Sequence, residues 1–343
     1  MKRRDFVKNT TLSAIGASLI APLGAFAANR VTHLTSEDLT LLPAIKDDYS
    51  LHFMALGDWG RNGEYDQLEV GKQMGLWGAV HPNDFVVSVG DNFYPKGVIS
   101  EFDPLWHYSF ENIYTAHSLQ CDWYPVFGNH DYHSDVDAQI RYSKISRRWS
   151  MPARYYSKEI SLNKAKNNED EAVKKEPKEK KPQAKAKALL IFIDTDPFLH
   201  EAQAQYVEKQ MQWLNETLTN ASEDVKWKIV IGHHPCYSVG PRIENYDTLT
   251  MRKALSKTFE DHKVDVYLSG HEHSLQHLKP EGFTHQFISG AGSELTKVTT
   301  GIPYSRFQAS EHGFMYFAID EKRLNVRATN YQGEVLYQTE LTK

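Results

Sequence analysis

One local pattern occurs five times along the chain: a short apolar run, then a glycine, then one or more side chains that can bind a metal ion. Apolar runs of this length next to glycine are typical of buried strands, and the segments between them carry helical spacing. The sequence therefore predicts an α/β fold in which strands alternate with helices. The five positions are Gly57-Asp58, Gly90-Asp91, Gly128-Asn129-His130, Gly232-His233 and Gly270-His271-Glu272-His273.

The polar residues of this pattern are predicted to lie close together and to bind metal. In layered α/β folds ligands collect beyond the carboxyl ends of strands, which is where all five positions fall. A single Asp or His in such a place is more often a capping or core residue, but the joint set combines carboxylates, an amide and imidazoles. This mixture favours Fe, Mn or Zn over Ca or Mg. Six or seven donors exceed the needs of one four-coordinate ion, so we expect two ions that share a carboxylate.

The remaining segments predict two helices and a set of late strands. From Phe283 onward the sequence changes to short alternating runs, which predict antiparallel strands that complete a second sheet. These runs cover residues 286–289, 313–319, 324–328 and 335–341. The helices are predicted from apolar stripes formed by Val207, Met211, Leu214 and Leu218 and by Met251, Leu255 and Phe259.

Composition excludes several classes of protein. The 343 residues are 41% apolar and 24% charged, which is enough to bury a core and unlike a disordered or coiled-coil chain. A net charge of -5 argues against nucleic acid as the main partner. The two cysteines, Cys121 and Cys236, could form at most one disulfide, and we interpret both as small core residues.

Residues 1–27 are predicted to be a signal peptide. They contain the pair Arg3-Arg4, a short apolar stretch and small residues before Ala28. The arginine pair resembles a twin-arginine signal, so we expect the export machinery as a partner and a periplasmic or secreted location. A membrane anchor is the alternative, but the stretch is short and broken by Pro22, and no later run is apolar enough to span a bilayer. Residues 28–48 would form a lead-in to one domain at 49–343.

A lysine-rich insert is predicted inside this domain. Residues 163–187 contain nine Lys and five acidic residues, and a single Val is their only large apolar side chain. Such a segment cannot bury enough surface to order itself, so we expect a mobile hairpin tip between the strand-like residues 154–162 and 189–194. A solvated loop is the favoured interpretation, and a basic arm that docks an acidic partner is the alternative.

The motif blocks resemble those of the purple acid phosphatases, and especially their small tartrate-resistant, mammalian-type branch. The resemblance runs from about Phe53 to the C-terminus and is carried, in order, by residues 57–60, 90–94, 128–131, 232–235 and 270–273. It implies a metallophosphoesterase fold, a four-layer α/β/β/α sandwich of two mixed sheets with flanking helices. It also implies an acid phosphatase that hydrolyses phosphate monoesters at acidic pH.

The same resemblance implies a binuclear centre of Fe(III) plus a divalent Fe, Zn or Mn ion. Asp58, Asp91, Tyr94 and His273 would hold the ferric ion, and Asp91, Asn129, His233 and His271 the divalent one. Asp91 would bridge the two ions. Since a phenol titrates near about 10 in water, Tyr94 can be a phenolate at low pH only against a strongly charged ion. Phenolate-to-iron charge transfer would colour the protein.

The expected substrates are small phosphate monoesters, including phosphorylated metabolites, nucleotides and phosphoproteins. A metal-bound hydroxide would attack the phosphorus in line, and His130 would protonate the leaving group. His133 and His234 are weaker candidates for this acid. Alternatively, His130 orients Asp91 or the other ligands by hydrogen bonding.

Two other functions stay open, and one departure from the family pattern bears on substrate binding. The scaffold could act on phosphodiesters or nucleotide pyrophosphates, although Tyr94 argues for the monoesterase. A non-catalytic iron- or phosphate-binding protein is the second alternative. The tartrate-resistant branch has a further histidine several residues past the Gly-His-x-Pro block, where this chain has Arg242, which could bind the phosphate instead.

Overall fold

The computed structural model describes residues 48–162 and 186–343, which lie within one unit that extends from residue 44 to residue 343. The predicted signal peptide and almost all of the lysine-rich insert fall outside the described residues, so both stay predictions. Within the described residues, no helix combines the length and the apolar character that crossing a membrane requires.

The described residues form thirteen strands and four α-helices. The strands are β1 (Leu51–Leu56), β2 (Phe85–Ser88), β3 (Asp122–Pro125), β4 (Tyr156–Ser161), β5 (Lys187–Phe192), β6 (Val225–Ile231), β7 (Val266–Ser269), β8 (Leu275–Leu278), β9 (His285–Ser289), β10 (Ser305–Ala309), β11 (Gly313–Ile319), β12 (Arg323–Asn330) and β13 (Val335–Thr342). The α-helices are α1 (Gln67–Val80), α2 (Ala138–Tyr142), α3 (Ala204–Thr219) and α4 (Tyr246–Asp261). Short helical turns cover Trp106–Glu111, His117–Leu119, Asp131–His133, Asp196–Leu199 and Glu201–Gln203.

The strands form two mixed sheets. Sheet one has the order β13-β12-β11-β1-β2-β3, in which β1, β2 and β3 run parallel and the other pairs are antiparallel. Sheet two has the order β10-β8-β9-β7-β6-β5-β4, with a parallel centre from β9 to β5 and antiparallel pairs at both edges. Within each sheet the parallel strands have their carboxyl ends on the same side; these strands are β1 to β3 in sheet one and β9, β7, β6 and β5 in sheet two.

Side-chain alternation along the strands explains why the two sheets pack between helices. Phe317 of sheet one stacks on Phe53 at a ring distance of 4.7 Å and meets Phe287 of sheet two edge-on at 5.8 Å. On the outer face of sheet one, Trp77 of α1 packs against Tyr316. Strand β5 and the residue that follows it, Ile193, show the same alternation in sheet two, since one set of residues enters the core between the sheets and the other packs under α3 and α4. These sets are Ala188, Leu190 and Phe192, and Leu189, Ile191 and Ile193. The predicted four-layer sandwich is confirmed.

The prediction for the late strands was partly wrong. The runs at 313–319, 324–328 and 335–341 are antiparallel strands as expected. However, they belong to sheet one, where the run at 313–319 pairs with β1, and they do not complete a second sheet. The run at 286–289 does join sheet two, where it pairs antiparallel with β8, as predicted, and parallel with β7. Alternation shows that a segment is a strand with one buried face, but it carries no information about which neighbour the strand will pair with. Sequence analysis also missed β8 and β10.

Two smaller features agree with the sequence interpretation. Cys121 is half-buried and Cys236 is buried, and both are free thiols. The strands that flank the lysine-rich insert are antiparallel neighbours, with Ser161 of β4 opposite Lys187 of β5. The amide of Leu162 donates to the carbonyl of Ala186 at 2.7 Å, so the chain leaves and re-enters the sheet at adjacent points.

Candidate metal centre

Five loops meet at the carboxyl ends of the parallel strands of the two sheets. Three of them follow β1, β2 and β3 of sheet one, and two follow β6 and β7 of sheet two. Together they carry all of the residues that the sequence predicted as metal ligands, and the structure brings all of these residues into contact. They are Asp58, Asp91, Tyr94, Asn129, His233, His271 and His273.

The first ligand group surrounds the hydroxyl of Tyr94. This hydroxyl donates to Asp91 Oδ2 at 2.9 Å, and it lies 3.2 Å from His273 Nε2 and 3.4 Å from Asp58 Oδ1. His273 Nε2 is in turn 3.5 Å from Asp58 Oδ1. All four side chains are buried, and Asp58, Asp91 and His273 form one of the two sets of ionisable groups in the described residues that are close enough to hold an ion.

The second ligand group surrounds Nε2 of His233. This nitrogen lies 3.2 Å from Asn129 Oδ1, 3.2 Å from His271 Nδ1 and 3.5 Å from Asp91 Oδ2. The same oxygen of Asp91 therefore faces both groups. A single carboxylate oxygen between two clusters of donors is the arrangement expected of a ligand shared by two ions.

The backbone at this edge is strained in a way that supports a functional site. Asp58, Asp91 and His271 have φ values of 59°, 49° and 68°, a left-handed conformation that residues with a Cβ rarely adopt. Glycine allows the loops to approach each other closely. A Cβ on Gly60 would lie 1.9 Å from the carbonyl oxygen of Asn92, so the loops after β1 and β2 could not meet with any larger residue.

Hydrogen bonds from the surrounding chain orient the clustered side chains. His233 Nδ1 lies 2.8 Å from the carbonyl of Val89, to which it donates, so its Nε2 points into the cluster. The backbone amide of His271 donates to both oxygens of Asp58, and that of His130 donates to Asp91 Oδ1 at 2.8 Å. Such outer contacts fix the direction in which each donor atom can be offered to an ion.

Asp131 joins the loop after β2 to the loop after β3. Its buried carboxylate accepts hydrogen bonds from the backbone amides of Asn92, Phe93 and Gly128 and from the side chain of Gln139. Burial raises the pKa of Asp131 to about 7, and the charge of Asp91 acts in the same direction. The carboxylate thus keeps Asp91 and Asn129 at a fixed separation.

The charges around Tyr94 and His233 show that the donor set fits a pair of cations. Burial raises the pKa of Tyr94 well above its ordinary value, and the carboxylates of Asp91 and Asp58 raise it further. Burial opposes the charged form of His233, but Asp91 and Asp58 outweigh it and raise the pKa of His233 to about 9. A phenol and an imidazole packed against two buried carboxylates lose their protons readily only to a strongly charged ion.

The two histidines predicted as acids lie at the rim of the cluster. His130 is half-buried, and its Nδ1 donates to the carbonyl of Pro95 at 2.7 Å while its ring lies 4.4 Å from that of Tyr94. His133 is exposed, with its ring 5.6 Å from that of His130. His234, the weaker candidate, is fully buried beside His271, and its Nδ1 bonds to the hydroxyl of Thr195. Burial gives His234 no direct access to solvent.

A cavity of about 500 Å³ opens beside the second ligand group. Asn129, His133 and His271 are among the residues that line it, together with Asp196, His200 and Gln203. Asp196, His200 and Gln203 come from the segment between β5 and α3, to which sequence analysis assigned no role. The cavity is large enough for the organic part of a small ester.

Sequence analysis missed one residue of this region, and the structure shows the protein contacts of another, Arg242. Asp247, in the first turn of α4, contacts His271 Nε2 at 2.6 Å, and no motif marks it in the sequence. Arg242 stays a predicted candidate for binding phosphate. Its guanidinium donates to the carbonyl of His271 at 3.0 Å and lies 3.7 Å from Glu272 and 3.8 Å from Asp247.

Comparisons with known proteins found a matching family model and named relatives. Residues 51–275 match the family model described as calcineurin-like phosphoesterase. The chain is 34% identical to purple acid phosphatase 17 of Arabidopsis thaliana, over 85% of each chain. It is 30% identical to human tartrate-resistant acid phosphatase type 5, over 88% of this chain and 95% of that protein.

Solved structures share the fold. A purple acid phosphatase from yellow lupin seeds superposes with a TM-score of 0.61 at 15% identity, covering 85% of this chain and 53% of that one. GAP50, described as the anchor in the inner membrane complex of Plasmodium, superposes with a TM-score of 0.72 at 24% identity, covering 85% of this chain and 88% of that one.

Proposed function

The chain belongs to the calcineurin-like phosphoesterases and, within them, to the purple acid phosphatases, and from this premise we propose that it hydrolyses phosphate monoesters at acidic pH through a binuclear metal centre. The expectation of an acid phosphatase of the hydrolase class is confirmed by the named relatives. One observation carries the metal proposal. Asp91 Oδ2 lies 2.9 Å from the Tyr94 hydroxyl and 3.5 Å from His233 Nε2, between the two groups of donors.

The residues present fit an iron ion beside a divalent ion. Asp58, Tyr94 and His273 would hold Fe(III) with Asp91, and Asn129, His233 and His271 would hold Fe, Zn or Mn with the same Asp91. When bound, the ions would supply positive charge for an anionic substrate and for the activation of water. Asn129 contributes no charge of its own, which leaves the second position more attractive to phosphate oxygens.

His130 is proposed to carry the proton that the leaving alkoxide needs. Its Nδ1 is engaged by the carbonyl of Pro95, which fixes the ring and leaves Nε2 as the nitrogen that can hand a proton to substrate. The cavity bordered by Asn129 and His133 would hold the organic part of the ester during this step. His133 at its rim is the second candidate for the acid.

Export and domain organisation are part of the proposal. Residues 1–27 would act as a twin-arginine-type signal peptide, residues 49–343 would form the catalytic domain, and the mature enzyme would be periplasmic or secreted. Small phosphate monoesters would be its substrates. Determination of the N-terminal residue of the protein recovered from a periplasmic fraction tests this part. A protein that is found only in the cytoplasm and begins at Met1 contradicts it.

The central experiment combines metal analysis, a visible spectrum and two ester substrates. We expect about two metal ions per chain, at least one of them iron, and a visible band that disappears when iron is removed. Hydrolysis of p-nitrophenyl phosphate should exceed that of bis(p-nitrophenyl) phosphate and should be faster at acidic than at neutral pH. Preferential hydrolysis of the bis ester would favour a phosphodiesterase, and bound iron without turnover of either ester would favour a binding protein.

A further inference from the structure

Among the described residues, Asp247 is the carboxylate outside the predicted ligand set that lies closest to a histidine of the cluster. Its Oδ2 lies 2.6 Å from His271 Nε2, and the two side chains are only 16% and 8% exposed. A short, largely buried contact between a carboxylate and an imidazole is a strong hydrogen bond. This hydrogen bond can fix the orientation of the His271 ring relative to a bound ion.

The contact determines which nitrogen of His271 is available. Nε2 donates its proton to Asp247, so the lone pair resides on Nδ1, which lies 3.2 Å from His233 Nε2 inside the second ligand group. Metal-binding histidines commonly donate their other N–H to a carboxylate, which fixes the tautomer and makes the ring a better donor. Asp247 stands in that relation to His271.

Asp247 is itself held in place from two sides. It lies in the first turn of α4, and its Oδ1 accepts a hydrogen bond from the backbone amide of Thr248 at 2.8 Å. Arg242 has its Nε 3.8 Å from Asp247 Oδ2 while its other end donates to the carbonyl of His271. The guanidinium of Arg242 thus contacts both Asp247 and the backbone of His271, the residue that Asp247 orients.

The histidines of the two ligand groups differ in this respect. His233 donates its outer N–H to the carbonyl of Val89, which is a neutral acceptor. In the first group, the outer nitrogen of His273, Nδ1, is buried and has no hydrogen-bond partner among the described residues. Carboxylate support of a clustered histidine ring is therefore found on the side of the second ion.

From this asymmetry we infer that Asp247 is a positioning residue that strengthens binding of the divalent ion and leaves the ferric ion unaffected. The inference rests on the proposed function, since it requires the second ligand group to hold a metal ion. Loss of an outer carboxylate of this kind typically weakens metal binding by about 10-fold to 100-fold. Arg242 acts through Asp247 and through the His271 backbone.

The test measures zinc retention and iron retention separately in the iron- and zinc-loaded protein. Asp247→Ala should release zinc at a chelator concentration roughly 10-fold to 100-fold lower than wild type does, while iron content and the visible band stay unchanged. Asp247→Asn keeps an oxygen that can accept from His271 but loses the charge, so its zinc affinity should fall between the two. Asp261→Asn, at the exposed far end of the same helix, is the matched control and should behave as wild type.

Several outcomes would overturn the inference. Wild-type zinc affinity in both Asp247 variants would do so, and so would equal loss of iron and zinc, since either result removes the selective link to the second group. A lower melting temperature of the metal-free Asp247→Asn protein with unchanged zinc affinity would assign Asp247 a role in folding only. If the wild-type chain itself binds no metal, the proposed function fails together with the inference. If it binds two ions and both Asp247 variants hold zinc as tightly as wild type does, only the inference fails.

Discussion

Asp91 is the residue on which the two halves of the site depend. Its Oδ2 faces Tyr94 and His233, and its Oδ1 is held by the backbone amide of His130. A negative charge at this point offsets the repulsion between two cations, which a neutral amide of the same shape cannot do. Removal of the negative charge of Asp91 should therefore weaken the binding of both ions.

We predict that Asp91→Asn abolishes metal retention and lowers turnover of p-nitrophenyl phosphate by at least about 1,000-fold, or roughly 4 kcal/mol of activation free energy. Metal content per chain and initial rates check this. Asp265→Asn is the control, because Asp265 is also buried but precedes β7, at the opposite end of the strand from the site. Near wild-type rates in Asp91→Asn would contradict the assignment of the site.

Tyr94 should determine the colour of the protein. Tyr94→Phe removes the only phenol in the cluster, so the visible band should vanish, and some activity should survive if zinc can replace iron. The absorption spectrum before and after zinc loading is the measurement. Tyr156→Phe removes another buried phenol, one that donates to the carbonyl of Pro125, and should leave the band intact. Retention of the band in Tyr94→Phe would mean that another group binds the iron.

The metal-binding residues of the motifs could be predicted from the sequence, whereas the residues that orient them could not. Strand, glycine and donor are contiguous in the chain, so Asp58 or His233 can be recognised locally. Asp247 contacts His271 across 24 positions of sequence, from the first turn of an ordinary amphipathic helix, where an acidic residue needs no functional explanation. The left-handed backbone at Asp58, Asp91 and His271 likewise follows from the tertiary contacts of the loops.

The loops that follow the strands tolerate little extra volume. In Gly60→Ala the added Cβ would lie 1.9 Å from the carbonyl oxygen of Asn92, which is backbone and cannot rotate away. We expect a loss of stability of roughly 1–3 kcal/mol, measured by urea unfolding, together with weaker metal retention because the loop that carries Asp91 must move.

A second glycine provides the comparison for that variant. A Cβ on Gly71, within α1, would meet side chains of Ile113 and Tyr114 at 3.1 to 3.3 Å, and these can adjust. Alanine also favours the helix over glycine by up to about 1 kcal/mol. Gly71→Ala should therefore stay close to wild type in stability and metal content. Equal losses in the two variants would show that the close approach at Gly60 has no special importance.

A chain of hydrogen bonds connects the two sheets at their late strands. His277 of β8 lies 2.9 Å from His285 of β9 and 2.9 Å from the hydroxyl of Tyr337 in β13. Burial lowers the pKa of His277 to about 3 and that of His285 to about 4, with the neighbouring cations acting in the same direction. Both imidazoles are thus neutral in the folded protein at the acidic pH where a phosphatase of this class works.

These histidines should make the fold less stable in acid. Their pKa in the unfolded chain is about 6.5, so between that pH and about 4 the unfolded state binds more protons and stability falls with falling pH. His277→Gln cannot titrate, and its free energy of unfolding should decline less steeply over this range, by roughly 1 kcal/mol per pH unit. Urea unfolding at several pH values checks the slope, with the exposed His107→Gln as control. Parallel slopes for all three proteins would contradict the prediction.

Strand identity was easier to predict than strand pairing. The run at 313–319 shows burial along its whole length, which fits a central strand, yet it lies beside β1, the first strand of the described residues. Residues 275–278 were missed because the motif of β7 ends only two residues earlier, at His273. Strand pairing depends on contacts between segments that are distant in sequence, and no local sequence pattern encodes these contacts.

At the scale of the whole molecule, the lysine-rich insert should be dispensable for catalysis. The adjacent positions of Leu162 and Ala186 allow a short turn to join β4 to β5. We predict that replacing residues 163–185 with a two-residue Asn-Gly turn leaves metal content, melting temperature and phosphatase rates near wild type. Loss of activity toward small esters would contradict this, whereas a loss confined to phosphoprotein substrates would favour the alternative of a docking arm.

The position of the ligand loops has a mechanical consequence. Each proposed ion would take donors from both sheets, because Asp58, Asp91, Tyr94 and Asn129 follow strands of sheet one and His233, His271 and His273 follow strands of sheet two. Shear of one sheet along the other would stretch both coordination spheres at once. The ions would thus fasten the halves of the sandwich, and the rigidity of the enzyme would vary with its metal supply.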